Sequence, residues 1–173
     1  MNQKINTSLA ENTVAPVMLV TGSAKRIGAA IITAAHRQGY RVIIHCHHSE
    51  QEANALADEL NENRADSAVV IVADLAIVND SSALSQFIQN IIGSFGQLDV
   101  LVHNASRFYP SPLGSIENAQ WDELFLTNAK APLLLSQALY PYLKARQGCI
   151  ISLLDIHAHN KPFSTYTVYN MAK

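Results

Sequence analysis

Short β-branched runs alternate with longer stretches of helical period along this chain. Val17-Met18-Leu19-Val20 is a first strand, ended by Thr21-Gly22. From about Arg26 to Gln38 the spacing predicts a helix, with Ile27, Ala30, Ile31, Ala34 and Ala35 on one face and Gly39 as its stop. Arg41–Cys46 reads as a second strand, and Ser49 with Glu52 as a capping box opening a helix through Ala53, Leu56, Ala57 and Leu60. Ala68–Val72 is a third strand. A helix from about Ser81 should bury Leu84, Ile88 and Ile91 and close at Gly93. Leu98–Val102 is a fourth strand, two helical stretches cover about 118–144, and Cys149–Leu153 is a fifth strand.

Strands buried on both faces and separated by helices imply a parallel sheet with βαβ crossovers. The expected fold is α/β, a doubly wound, Rossmann-like sheet. Such a sheet has six strands or more, and only five are visible. The domain is expected over 16–173, incomplete at its carboxyl end. Residues 1–15 are polar, carry Glu11 and lack the apolar segment of a signal peptide, which predicts a flexible leader.

Composition adds exclusions. With 49% hydrophobic and 15% charged residues and a net charge of −2, the chain has the balance of a soluble globular protein, here expected to be cytoplasmic. That balance points away from nucleic-acid and anionic-membrane surfaces. Cys46 and Cys149 each fall in an apolar run and read as two reduced core thiols. His45-Cys46-His47-His48 resembles a metal tract, but on a strand only His45 and His47 share a side, and no metal is expected.

The candidate chemistry sits at the ends of these elements. Thr21–Gly28 (TGSAKRIG) joins the first strand to the first helix, where glycine permits close backbone approach and free N–H groups meet a phosphate. Gly22 and Gly28 frame the loop, Arg26 replaces the central glycine of the common pattern, and Lys25 and Arg26 place two cations beside the phosphates. The second strand ends in His47, His48 and Ser49, with no acid until Glu50. An acid there would favour the free ribose of NAD, and its absence favours NADP(H). Tyr169 and Lys173 stand i and i+4 on a helix, so ammonium and phenol share a face and the cation should lower the phenol's pKa. Pro132, four residues after Asn128, has no N–H to bond the Asn128 carbonyl. The freed carbonyl could hold a water on a proton path to Lys173, or the proline could mark a plain kink.

Taken together, TGSAKRIG, Asp74-Leu75, HNAS (103–106), Asn128 and YNMAK (169–173) resemble the short-chain dehydrogenase/reductase family from about Val17 to Lys173. The resemblance implies that Asp74 holds the adenine, that Asn104 and Ala105 line the cofactor, and that Ile27, Leu75 and Ser106 also contact it. It implies that Asn128, Tyr169 and Lys173 form the catalytic relay, with Tyr169 and Lys173 also touching cofactor. Asp155 stands near the place where most of the family has serine, and this resembles the pteridine reductase branch. In that branch Phe108 would stack on a pterin against the nicotinamide, with Ser106, Asp155 and Tyr169 around the substrate and Arg107 as a further contact. Two features depart from it: Asp155 lies fourteen positions before Tyr169 instead of thirteen, and His48 replaces a frequent arginine. The implied reaction is NADPH-dependent reduction of a dihydropterin or dihydrofolate to its tetrahydro form. One rival is a reductase of ordinary carbonyls, including 3-oxoacyl thioesters. The other is a nucleotide-binding remnant, because the chain stops on Lys173. The resemblance also implies homotetramers built on the 118–144 and Tyr169 helices.

Overall fold

The computed structural model describes residues 14–173, and residues 1–13 of the expected leader lie outside the described residues. Five strands form one parallel sheet: β1 (Val17–Val20), β2 (Arg41–Cys46), β3 (Ala68–Val72), β4 (Val100–His103) and β5 (Cys149–Ser152). Their order across the sheet is β3-β2-β1-β4-β5. Among the described residues the helices are α1 (Arg26–Arg37), α2 (Glu50–Asn63), α3 (Ser81–Phe95), α4 (Asn118–Phe125), α5 (Ala131–Ala145), α6 (Ile156–His159) and α7 (Thr167–Ala172).

Strand alternation divides the core into two layers. Leu19, Ile43 and Leu101 pack with Phe87 and Ile91 of α3 and with Leu135 and Leu139 of α5. Val20, Val42, Ile44, Val100 and Val102 pack with Ile32 and Ala35 of α1 and with Ala53 and Leu60 of α2. Period 2 in the strands thus sends neighbouring residues to opposite helical layers, which is why the strands read as unbroken apolar runs.

Several local expectations are corrected. On α1 the buried residues are Gly28, Ile32, Ala35 and His36, while Ile27 is 63% exposed. The contact face is therefore set by His36, which bonds Ser67 at 2.7 Å, and by glycine packing, neither of which an apolar count registers. Ser49 makes no side-chain cap; Glu52 is drawn instead to Lys25 at 2.5 Å. Gly93 lies within α3, which ends at Gly96 in the left-handed region with φ 76°. Cys46 is buried but Cys149 is exposed, because β5 is the sheet's edge. A π-helical turn, Leu126–Lys130, joins α4 to α5, with the Ala131 N–H bonded to the Leu126 carbonyl. Pro132 explains it: without an N–H at that position the i+4 ladder shifts to i+5.

Asp99 anchors the amino end of the sheet. Its Oδ2 accepts the Val17 N–H at 2.8 Å and the Gln97 amide at 2.9 Å, and its Oδ1 accepts Arg146 Nε at 2.9 Å. Val17 is fully buried, so its N–H has no water to turn to. Asp99→Ala is expected to lower the unfolding free energy by about 2 kcal/mol, and Asp99→Asn, which keeps an acceptor, by clearly less. Urea unfolding checks both; equal losses would show that the acceptor is not what matters.

Candidate active site

β1 lies between β2 and β4, so the chain leaves its carboxyl end toward both sides of the sheet. A crevice opens at such a reversal of strand order. It measures about 630 Å³ and is walled by five segments, one of them Glu123, Leu126 and Thr127 at the junction of α4 and α5. The loop after β1 gives Gly22, Lys25, Arg26, Ile27 and Gly28. The β2 tip gives His47, His48 and Ser49, and the segment after β3 gives Asp74 and Leu75. Asn104, Ala105, Ser106 and Phe108 follow β4. These expected cofactor residues therefore meet in one space.

The loop is held from below. The Asn104 side-chain amide donates to the Thr21 and Gly22 carbonyls, both at 2.8 Å. The Asn104 and Ala105 N–H groups donate to Thr21 Oγ1 at 3.1 Å. A Cβ on Gly28 would stand 2.6 Å from that Asn104 amide, so only glycine fits. Arg26 adopts φ 53°, in the region where glycine is at ease, so the arginine in place of glycine carries a backbone cost of about 1 kcal/mol.

His45 was legible only as part of an apparent metal tract, and its structural use is different. Its Nδ1 accepts the Gly22 N–H at 3.1 Å and its Nε2 meets the Ala73 carbonyl at 3.1 Å. Both bonds require a neutral ring protonated at Nε2. Burial drives its pKa down to about 4, and the same cause takes buried His103, bonded to Ser136 at 2.8 Å, to about 4. Asp74 accepts the Ala76 N–H through Oδ1 at 2.9 Å and so caps the turn Leu75–Asn79.

The second part of the site stands beyond Phe108. Tyr169, buried on α7, donates its hydroxyl to Asp155 Oδ2 at 2.6 Å. Asp155 also caps α6, accepting the His157 N–H at 2.9 Å. α7 is placed by the Val168 N–H bonded to the buried Ser111 hydroxyl at 2.9 Å. Lys173 donates to the Leu153 carbonyl at 2.9 Å.

This geometry corrects the expected electrostatics of the pair. The Tyr169 pKa is raised, first by burial and then by the Asp155 carboxylate. Asp155 is correspondingly held below its ordinary value, first by the Tyr169 hydrogen bond and then by the His157 N–H. Burial lowers Lys173, with Asp155 opposing. The phenol's partner is thus a carboxylate, and Lys173 turns to the end of the fifth strand instead.

The Asn128 side chain has a role of its own. Its Oδ1 accepts the Ser106 hydroxyl at 2.8 Å and the Arg107 N–H at 3.2 Å, while its amide donates to the Arg107 carbonyl at 3.0 Å. Its side chain therefore fixes the loop that carries Phe108. Arg107 pairs with Glu123 at 3.3 Å. Phe108, 51% exposed, stacks on Tyr166 at 4.4 Å and meets Tyr169 edge-on at 4.8 Å. Tyr166 carried no motif of its own; its position three residues before Tyr169 was the signal available.

The sequence matches the family model for short chain dehydrogenases over residues 16–173, and the chain belongs to that family. It is 35% identical to pteridine reductase 1 of Leishmania tarentolae, over 92% of this chain and 67% of that protein. It is 31% identical to a 3-oxoacyl-[acyl-carrier-protein] reductase of Staphylococcus aureus, over 80% of this chain and 55% of that one. A probable tetrahydroxynaphthalene reductase of Zymoseptoria tritici is 27% identical over 91% of this chain and 57% of its own. The chain thus spans between 55% and 67% of the length of these curated relatives. Membership implies a nicotinamide cofactor and an oxidoreductase role. No helix among the described residues is long and apolar enough to cross a membrane.

His45 also sets a pH dependence. An unfolded histidine titrates near the ordinary 6.5, so between that pH and about 4 the unfolded chain binds a proton that the folded chain refuses. Stability is complete above the upper limit and falls as pH drops toward the lower, by on the order of 3 kcal/mol from His45. Urea unfolding at stepped pH measures this. In His45→Gln, whose amide keeps an acceptor and a donor but does not titrate, the fall is expected to shrink; an unchanged fall would place the effect elsewhere.

Proposed function

We propose that this chain carries the nicotinamide and catalytic part of an NADPH-dependent pteridine reductase, which takes a dihydropterin or dihydrofolate to its tetrahydro form. The observation that carries the reading is the 2.6 Å bond between Tyr169 and Asp155, with Phe108 edge-on to the same phenol. A serine-type carbonyl reductase has no use for a carboxylate there, whereas a pterin offers ring N–H and amino groups that a carboxylate accepts. The identity to the Leishmania protein supports the same substrate class.

The crevice fits a dinucleotide. Its loop N–H groups and the cations Lys25 and Arg26 suit the pyrophosphate, and the acid-free β2 tip suits a 2′-phosphate. NADPH, when bound, supplies the hydride. The chain's own groups handle the proton. Tyr169 keeps its proton on Oη, because Asp155 and burial both oppose the phenolate, and that proton is the one available to a ring nitrogen. Asp155 stays ionised, aims the phenol and takes up the positive end of the substrate. Lys173 has one N–H on Leu153, which leaves two for the nicotinamide ribose. Phe108 offers an exposed aromatic face to a flat heterocycle, worth about 0.5–1.5 kcal/mol beyond burial. Cytoplasmic residence and assembly as homotetramers through α4, α5 and α7 belong to the same reading.

The match to the Staphylococcus protein favours a second reading, reduction of 3-oxoacyl thioesters with the same Tyr169 and Lys173. Oxidation of NADPH with dihydrobiopterin and with an acetoacetyl thioester separates the two. Turnover of the pterin is expected, and Asp155→Asn should lower its kcat/KM by about 10² or more. Activity on the thioester alone would overturn the pteridine reading.

A further inference from the structure

The tip of β2 presents two imidazoles in contact. His47 and His48 are both exposed, and their rings stack with centroids 3.5 Å apart and planes 30° apart. Both line the crevice, as does Ser49. Two full charges at such a distance repel by about 1 kcal/mol even in water and by several times that near a protein surface.

The charged groups around it are of mixed sign. Asp74, from the segment after β3, places Oδ2 at 3.7 Å from His47 Nε2. Lys25, at the start of α1, is engaged with Glu52 of α2, and Arg26 and Glu50 stand on the same two helix starts. Behind the stack, His45 is neutral and occupied by Gly22 and Ala73. The side chains that the tip itself contributes to the crevice are thus two imidazoles and the Ser49 hydroxyl.

We infer that His47 and His48 form a proton-linked receptor for the ribose 2′-phosphate, so that a 2′-phosphorylated nucleotide takes up a proton on binding that its unphosphorylated counterpart does not. This rests on the NADP(H) reading above. A phosphate dianion beside the stack supplies counter-charge to an imidazolium, and each imidazolium turns both ring nitrogens into donors. An arginine would hold the phosphate at any working pH, whereas imidazole changes charge between about pH 5 and 8. The sign follows: affinity for the phosphorylated nucleotide falls as pH rises through that range. The phosphate's own second ionisation, near about pH 6, works the other way by adding charge as pH rises. A variant that binds phosphate without titrating separates the two effects.

The test uses the 173-residue chain with 2′,5′-ADP and 5′-AMP as probes. Calorimetric titration in buffers of different ionisation enthalpy gives the protons taken up. For 2′,5′-ADP we expect about half a proton or more at about pH 7, and an affinity that falls at least about threefold more between about pH 6 and 8 than in His47→Gln/His48→Arg. In that double variant the extra uptake should vanish, while 5′-AMP binds as before. If 5′-AMP binding also changes, His48→Arg alone serves, with the uptake reduced. Preference for 2′,5′-ADP with the same uptake and slope in the variants would overturn the inference and leave the NADP(H) reading standing. No preference for 2′,5′-ADP at any pH would overturn both.

Discussion

Parallel pairing of β1 with both β2 and β4 is the constraint from which the rest follows. It places the carboxyl ends of the three central strands side by side, and the chain must leave the middle one through a tight loop. The loop's shape is then fixed by its neighbours. Asn104 at the end of β4 binds its carbonyls, and His45 from β2 binds the Gly22 N–H. Glycine at Gly28 is demanded both by the loop's own backbone at Gly22 and Ser23 and by the Asn104 amide. A crevice of this kind is thus a property of three strands, buried His45 and half-buried Asn104 acting together.

The Tyr169 end is organised by a different balance. Tyr169 faces a carboxylate in a half-buried setting, so charge on the phenol is opposed twice, by lost solvation and by like charge. Lys173 is in the right helical register to reach the phenol, yet its ammonium donates to the Leu153 carbonyl. An acid that keeps its proton until substrate needs it is suited to protonating a ring nitrogen. A poised phenolate would suit the reverse, oxidative direction.

Much of this was legible in the sequence, for identifiable reasons. All five strands read correctly within a residue or two; the central ones are buried on both faces and apolar throughout, and the exposed edge strand β5 still carries the apolar run Cys149-Ile150-Ile151. The crevice residues were legible because strand ends converge in a parallel sheet, so positions far apart in sequence share one place. What misled was polarity that depends on partners. His36 is buried because Ser67 bonds it, and Glu52 pairs with Lys25 in place of a capping box with Ser49. His45 looked like a ligand and is a loop clamp. The i, i+4 spacing of Tyr169 and Lys173 says which groups can meet; it does not say that Asp155, fourteen residues upstream, reaches the phenol first.

The central claim is where the proton sits at the catalytic end, and titration of Tyr169 tests it most directly. Tyrosine ring-labelled NMR, with Tyr169→Phe to assign the signal, follows the phenol as pH rises. The account predicts that Tyr169 stays protonated past the ordinary value of about 10, and that Asp155→Asn brings its titration down. A phenolate already formed near neutral pH, moved up by removing the Lys173 charge and indifferent to Asp155, would contradict it.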